Sequence, residues 1–303
     1  MSWVVAALVL LMPTAFASPA LAERELAVTV DDLPSHGALP PGTTRQAIAD
    51  QMIQALKRHT GPGVYGFVNG RQLRQEPELG AILRAWRQAG FVLANHTYSH
   101  LDLMRVSADD YVFDIERNEE IVARFSPPDT PRYFRYPYLQ EGNTEDKRKT
   151  VRTWLTARAY TIAPVTVSLE DETWNDLYAR CVASGEPAVT RLKVLFIETA
   201  IRRLAAFDEL SRRLYNRSIK HVLLLHMGAF DALVLDDLLT AFRAAGTRYI
   251  SLPEAIEDPA YQTAPKPFFD GDATFLVQIA RTRRVPIPTA LTGPPEEAAR
   301  LCR

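Results

Sequence analysis

The fold prediction starts from the segment Leu26-Ala27-Val28-Thr29-Val30-Asp31-Asp32. Residues 26–30 are apolar or β-branched, as in a buried strand, and two acidic residues follow directly. Similar strand segments recur along the chain and alternate with amphipathic helical segments. The predicted strands cover residues 26–30, 64–68, 91–94, 133–136, 160–167, 221–225 and 249–252. The predicted helices lie near 43–59, 77–89, after Ser107, 144–158, 175–217 with a break near 185–187, and 233–245.

Repeated strand–helix units predict an α/β fold in which parallel strands are covered by helices, because each crossover returns the chain to the same edge. Seven such units fit either an open, doubly wound sheet or a barrel. The G-x-G-x-x-G turn of dinucleotide-binding folds is missing after the first strand. A nucleotide cofactor bound in that way is therefore disfavoured.

The overall composition is that of a globular enzyme. The chain has 303 residues, of which 47% are hydrophobic and 23% charged, and its formal net charge is -1. A nearly neutral protein lacks the basic surface that nucleic acids require, so no nucleic-acid partner is expected. A neutral carbohydrate is compatible with this charge.

The two ends of the chain differ from the middle. An apolar run from Trp3 to Met12 is too short to span a bilayer and precedes Ala20-Leu21-Ala22, which suits signal peptidase. We therefore expect residues 1–22 to be a signal peptide, with an uncleaved anchor or a buried helix as the alternatives. Residues 23–258 would form the catalytic domain. No later segment predicts a membrane span.

Residues 259–303 are interrupted by seven prolines and predict an irregular extension, packed on the barrel or partly flexible. The chain contains two cysteines, Cys181 and Cys302. In an oxidising compartment a disulfide between them is one outcome and two free thiols are the other, since spacing alone does not fix their separation.

Polar residues follow the predicted strands at the ends where a parallel fold collects its functional side chains. Asp31 and Asp32 close the first strand, where they are compatible with a cation ligand beside a base, or with a simple turn. His96 and His100 follow the third strand with an i, i+4 spacing that suits a metal, although two surface histidines would give the same pattern.

Two further residues close later strands. Arg135 follows the fourth strand and is able to orient a nearby carboxylate by charge. His226 closes the sixth strand and has a pKa range suited to a general acid. Taken singly, each fits a structural role better: a surface arginine in a turn, or a core histidine. Together the four strand ends supply complementary parts of one hydrolytic mechanism.

Four segments resemble, in order, the motifs of the polysaccharide deacetylases, carbohydrate esterase family 4 (the NodB homology domain). These segments are Thr29-Val30-Asp31-Asp32, His96-Thr97-Tyr98-Ser99-His100, Arg135-Tyr136-Pro137-Tyr138 and Leu223-Leu224-Leu225-His226. The resemblance covers roughly residues 26–255. It implies a distorted (β/α)7-8 barrel of parallel strands.

The resemblance also implies a role for each motif residue. Three of them would bind a divalent metal: Asp32, His96 and His100. Asp31 would be the base, oriented by Arg135, and His226 would be the acid. The backbone N–H of Tyr138 would help to hold the oxyanion. Zinc would be the usual metal, although cobalt and nickel also suit this ligand set.

The sequence departs from the family pattern before its last helices, where the acids of the Asp-x-x-Asp-Trp element are displaced relative to Trp174. Trp174 would either wall a substrate groove or be buried at a helix start. Asp171 is a candidate to tune His226. Leu224 would line the acetyl pocket or belong to the core. His36 would touch substrate or metal, or be a solvated loop residue.

The sequence thus predicts an exported, periplasmic or secreted enzyme that removes acetyl groups from an N-acetylated glycan. Peptidoglycan, chitin-like polymers and exopolysaccharides fit equally. One alternative is an amidase or deacylase of a small N-acyl or ester substrate on the same fold. The other is a non-catalytic glycan-binding protein, which is disfavoured because Asp31 and both histidines of the metal motif are present.

Overall fold

A computed structural model describes residues 24–262, 273–291 and 296–302. The signal peptide expected at residues 1–22 lies outside the described residues, as do parts of the C-terminal extension. Within the described ranges the chain forms a sheet of eight strands surrounded by helices. The strands are β1 (Arg24–Leu33), β2 (Tyr65–Val68), β3 (Val92–Asn95), β4 (Tyr133–Phe134), β5 (Thr161–Ile162), β6 (Val167–Ser168), β7 (His221–His226) and β8 (Thr247–Ile250).

The sheet is parallel and curls into part of a barrel. Its strand order is β5-β4-β3-β2-β1-β7-β6, and β8 pairs with the amino-terminal part of β1. Every strand pair is parallel. Among the described residues no ladder joins β5 to β6, so the barrel stays open along this seam. The distorted barrel of parallel strands that the sequence predicts is confirmed.

One predicted strand is wrong in detail. Residues 160–167 form two short strands, because the chain changes partners within this segment. Ala163 donates its N–H to Phe134 of β4, whereas Thr166 donates to Val222 of β7. Pro164 stands between them and has no N–H to continue a ladder. The segment therefore bridges the seam of the barrel.

The helices follow the predicted pattern closely. They are α1 (Arg45–His59), α2 (Arg71–Gln75), α3 (Gly80–Gln88), α4 (Ala108–Phe125), α5 (Glu145–Ala157), α6 (Asp171–Ser184), α7 (Glu186–Tyr215), α8 (Ala229–Ala244), α9 (Leu252–Ile256), α10 (Phe275–Arg283) and α11 (Glu296–Leu301). The predicted break falls at Gly185, whose φ of 89° ends α6. No helix in the described ranges combines the length and apolar character of a bilayer span.

Alternation along the strands separates the core from the concave side of the sheet, since successive strand residues face opposite sides. On β1 the residues packed in the main core are Leu26, Val28 and Val30. The intervening Thr29 and Asp31 therefore face the inside of the barrel. Their register partners on β7 are Leu224 and His226. The paired ends of β1 and β7 thus bring an acid and a histidine to the same rim.

The described part of the C-terminal extension contains two α-helices and is tied to the barrel by a disulfide. Cys181 in α6 is bonded to Cys302, with 4.9 Å between their Cα atoms. Helix α10 packs against α7, and α11 packs against both α6 and α7. The bond closes a loop across 121 positions of sequence. It therefore restricts the unfolded chain strongly.

We expect replacement of Cys181 and Cys302 by alanine to lower the free energy of unfolding by about 2–5 kcal/mol, because the unfolded chain regains the freedom of that loop. Urea denaturation followed by circular dichroism measures the change. Reductant should destabilise the wild-type protein and leave the double variant unaffected. Equal unfolding midpoints for the two proteins would contradict a stabilising bond.

Candidate active site

The predicted site residues from four strand ends meet at the carboxyl-terminal rim of the half-barrel. Asp31 lies at the end of β1 and is the register partner of His226 on β7. His96 directly follows β3, and Arg135 directly follows β4. Because all these strands are parallel, their carboxyl-terminal ends lie at the same edge of the sheet. The structure thus brings together the residues that the sequence could only align in order.

A buried ion pair fixes Asp31. Nη1 of Arg135 lies 2.6 Å from Oδ1 of Asp31 and also donates to Oγ1 of Thr29 at 2.8 Å. The Arg135 and Asp31 side chains are 1% and 3% exposed. Burial lowers the pKa of Arg135, while the charge of Asp31 opposes that shift. The pair therefore orients Asp31 with its second oxygen, Oδ2, 3.6 Å from Nε2 of His96.

The predicted metal residues form one cluster. Oδ1 of Asp32 lies 3.4 Å from Nε2 of His100 and 3.7 Å from Nε2 of His96. One potential ligand atom from each of the three residues lies within 4.8 Å of the others. Asp32 and His100 both have positive φ angles, 60° and 54°. This unusual backbone turns Asp32 to the same rim as its neighbour Asp31, although strand alternation alone would separate them.

The cluster fits a divalent metal on three observations. Oδ1 of Asp32 is buried and has no hydrogen-bond partner among the described residues. Nδ1 of His96 lies 2.9 Å from the carbonyl oxygen of Arg135, so that donation there leaves Nε2 with its lone pair towards the cluster. Burial lowers the pKa of His100 to about 4, which keeps the ring neutral at physiological pH. One carboxylate and two neutral imidazoles suit zinc.

His36 has a defined place beside this cluster, and it is not a solvated loop residue. Its Nδ1 lies 2.6 Å from Oδ2 of Asp32, and its ring centre is 4.7 Å from that of His226. The backbone N–H of His36 donates to the carbonyl of Met227 at 2.8 Å. Burial alone would raise the pKa of Asp32, but this hydrogen bond and the nearby histidines lower it well below its usual range.

His226 is held by an acid on α6. Oδ2 of Asp171 accepts from the backbone N–H of His226 at 2.7 Å and lies 3.0 Å from its Nδ1. Burial would lower the pKa of His226, but the charge and hydrogen bond of Asp171 raise it well above 6.5. His226 is thus able to carry a proton at neutral pH. The sequence pattern offered Asp171 only as a candidate, because it lies three positions before the tryptophan.

The remaining predicted residues have different positions. Tyr138 lies at the rim, 46% exposed, with its ring centre 4.6 Å from that of His100. Leu224 is 7% exposed and faces the inside of the barrel beside Thr29. The proposed groove wall at Trp174 is wrong. Its side chain is completely buried against Phe196 and Phe230 in the main core, where no substrate reaches it.

The fold and the rim residues together define a parallel half-barrel of the NodB type. The family model described as polysaccharide deacetylase matches residues 19–155. This part of the chain, which holds every predicted site residue from Asp31 to Tyr138, is therefore similar to the polysaccharide deacetylases. Asp171 and His226 lie beyond the matched segment.

Two known proteins are similar to this chain, one in sequence and one in fold. A peptidoglycan-N-acetylglucosamine deacetylase of Bacillus cereus is 26% identical over 163 residues, which cover 54% of this chain. The match spans about half of that relative, 51% of its length. The chitin deacetylase of Colletotrichum lindemuthianum has a similar fold, with a TM-score of 0.53, 22% identity, and coverage of 77% of this chain and 87% of that one.

A similar fold does not by itself establish activity. A pseudoenzyme of the CE4 family from Bacillus anthracis also matches, with a TM-score of 0.52 and 14% identity. The match covers 78% of this chain and 66% of the pseudoenzyme. The fold is thus compatible with both active and inactive proteins, and the residues at the rim distinguish the two.

We expect replacement of His36 by alanine to weaken divalent-metal binding by about 10- to 100-fold, the loss typical of an outer hydrogen-bond partner of a ligand. Asp32 would lose the contact that fixes its carboxylate. Competition with a chromogenic chelator measures the affinity. His36→Asn, which keeps a donor near the position of Nδ1, should recover part of the loss. Wild-type affinity in the alanine variant would exclude this role.

Proposed function

We propose that the protein is an exported, metal-dependent hydrolase that removes acetyl groups from an N-acetylated glycan. The observation that carries the proposal is the meeting of three groups at one rim of the half-barrel. These groups are the Asp31–Arg135 pair, the cluster of Asp32, His96 and His100, and the Asp171–His226 pair. They would supply the base, the metal site and the acid of a metal-assisted amide hydrolysis.

Asp32, His96 and His100 would hold the metal, with zinc as the best fit and cobalt or nickel as alternatives. A divalent ion bound there supplies Lewis-acid polarisation of the acetyl carbonyl and makes water more acidic. The orphaned Oδ1 of Asp32 supports this assignment, because a buried carboxylate oxygen needs a positive partner.

The chain's own residues would carry the proton transfers. Asp31, oriented by Arg135, takes the proton of the attacking water as its oxygen bonds to the acetyl carbon. The backbone N–H of Tyr138 donates to the oxyanion that develops. His226 gives a proton to the departing nitrogen as the C–N bond breaks, which leaves acetate and a free amine. Leu224 would contact the acetyl methyl group from the inner face of β7.

The substrate class follows from the family, with peptidoglycan, chitin-like polymers and exopolysaccharides as the candidates. The Bacillus cereus relative is a peptidoglycan-N-acetylglucosamine deacetylase, which supports a glycan substrate. A small N-acyl substrate would use the same rim residues. A non-catalytic glycan-binding protein would have no need of the buried Asp31–Arg135 pair.

Export is supported by the sequence before residue 23 and by the disulfide. The apolar run and the Ala20-Leu21-Ala22 site suit a cleavable signal peptide. The bond between Cys181 and Cys302 suits an oxidising compartment such as the periplasm or the exterior. Residues 23–258 would then be the catalytic domain and residues 259–303 an extension braced against it.

We expect one divalent metal ion per chain in the purified protein, and a loss of that ion in His100→Ala. Elemental analysis after dialysis measures the ratio of metal to protein. His59→Ala is the matched control, because His59 contacts Asp236 on the outer surface, away from the rim. Full metal content in His100→Ala would remove His100 from the ligand set.

We expect metal-loaded protein to release acetate from at least one of peptidoglycan, chitin oligosaccharides and poly-N-acetylglucosamine. Asp31→Asn should reduce kcat by about 100- to 10,000-fold, the usual contribution of a general base. Asp50→Asn, the same change at an exposed position of α1, serves as the control.

The outcomes of this assay separate the alternatives. Undiminished activity in Asp31→Asn would contradict its role as base. Acetate release from small acetamides alone would assign the protein to the small-substrate amidases. Binding of the glycans without any acetate release would identify a binding protein.

A further inference from the structure

The Asp171 carboxylate that holds His226 is only half satisfied. Its Oδ2 receives both contacts from His226, at 2.7 and 3.0 Å. Its Oδ1 is completely buried and has no hydrogen-bond partner among the described residues as long as every neighbouring carboxyl group is ionised. A buried carboxylate oxygen without a donor is costly, so a neighbouring group is expected to donate to Oδ1.

The neighbouring group is the carboxyl of Asp231, a residue in the first turn of α8. Asp231 is 1% exposed, and its carboxyl is a close electrostatic neighbour of that of Asp171. No donor among the described residues reaches either of its oxygens. Two buried carboxyl groups in contact satisfy each other only when one of them carries a proton.

The start of α8 does not supply a donor to Asp231. An acid in the first turn of a helix often accepts from the exposed N–H groups there. Here the N–H of Phe230 donates instead to Oδ1 of Asn175, at 3.1 Å. The backbone of Gly228 packs closely against Asp231, since a Cβ at Gly228 would lie 3.1 Å from Oδ2 of Asp231.

The proton belongs on Asp231 by comparison with its neighbours. Asp171 receives two donors from His226, which together with the charge of His226 lower its pKa despite burial. Burial and the charge of Asp171 raise the pKa of Asp231 well above 3.8. Glu172 also faces His226, 3.8 Å from its Nδ1, but its side chain is 44% exposed. Water thus satisfies Glu172, whereas it does not reach Asp231.

We propose that Asp231 is a neutral carboxylic acid that donates its proton to Oδ1 of Asp171 and so positions Asp171 against His226. The inference deepens the proposed function, on which its catalytic consequence rests. Asp231 touches neither substrate nor metal and acts through Asp171. Because Asp231 is neutral, the two acids together place a single buried negative charge beside His226. The pKa of His226 is therefore not raised further, and the histidine is still able to release its proton.

The charge state of Asp231 is testable through the alkaline limb of the pH profile of kcat. Activity falls as pH rises through the pKa of His226, because the acid loses its proton. The charged groups that face His226 are Asp171, Asp32 and Glu172, and the ring of His36 packs against it. Loss of a negative neighbour lowers the pKa of His226 and moves this limb to lower pH.

Asp231→Asn replaces the neutral acid with a neutral amide that also donates. We expect it to keep most of the wild-type kcat and the same alkaline limb. Asp171→Asn, which removes a charge, should move the limb to lower pH. Asp231→Leu has a similar shape without a donor, and we expect kcat to fall by roughly tenfold or more with little change in KM. A limb displaced to lower pH in Asp231→Asn would show that Asp231 is ionised and overturn the proposal.

Infrared spectroscopy tests the proton without reference to activity. With ¹³C-labelled aspartate, the wild-type protein at neutral pH should show an isotope-shifted carbonyl band of a protonated carboxyl, absent in Asp231→Asn. Labelling only aspartate excludes Glu172 from that band. Absence of the band in the wild type overturns the proposal even if every variant misfolds. A band without acetate release from any glycan would support the Asp231–Asp171 contact and contradict the proposed function.

Discussion

One buried residue, Arg135, fixes both the candidate base and a candidate metal ligand at the rim. Its side chain binds Asp31 and Thr29, and its backbone carbonyl accepts from His96. The charge is also packed over the ring of Phe67, 4.1 Å from the ring centre. A buried charge is tolerable only when such partners compensate its desolvation, so these groups are constrained together. Loss of Arg135 would leave Asp31 charged and unpaired and would also disturb His96.

The rim has two electrostatic halves that differ although both contain histidines. Burial keeps His100 neutral, with a pKa of about 4, which suits a metal ligand. Asp171 instead keeps His226 protonated, which suits an acid. His36 lies between them, in contact with Asp32 on one side and His226 on the other. Burial of His100 and the Asp171 contact of His226 thus shift the pKa values of two histidines in opposite directions.

The sequence predicted the convergence of Asp31, His96, Arg135 and His226 because strand ends in a parallel fold share one edge. It did not predict which side chains point inward from loops or helix starts. The sequence leaves a groove wall and a buried helix start open for Trp174, because its position along the chain does not reveal that α6 turns it into the core. The place of His36 depends on a loop anchored to Met227, a contact between residues 191 positions apart that no local pattern records.

The open seam between β5 and β6 gives the barrel a mechanical asymmetry. In strand order the seam separates the side that carries Arg135 from the side that carries His226, and the described residues bridge it by the short link 163–166. In a closed barrel, a change in width would be resisted by ladders all the way round. Here a loop spans the seam between the Arg135 side and the His226 side, while the ladder between β1 and β7 keeps Asp31 and His226 in register. The width of the rim is therefore fixed by a loop on one side and by a β-ladder on the other.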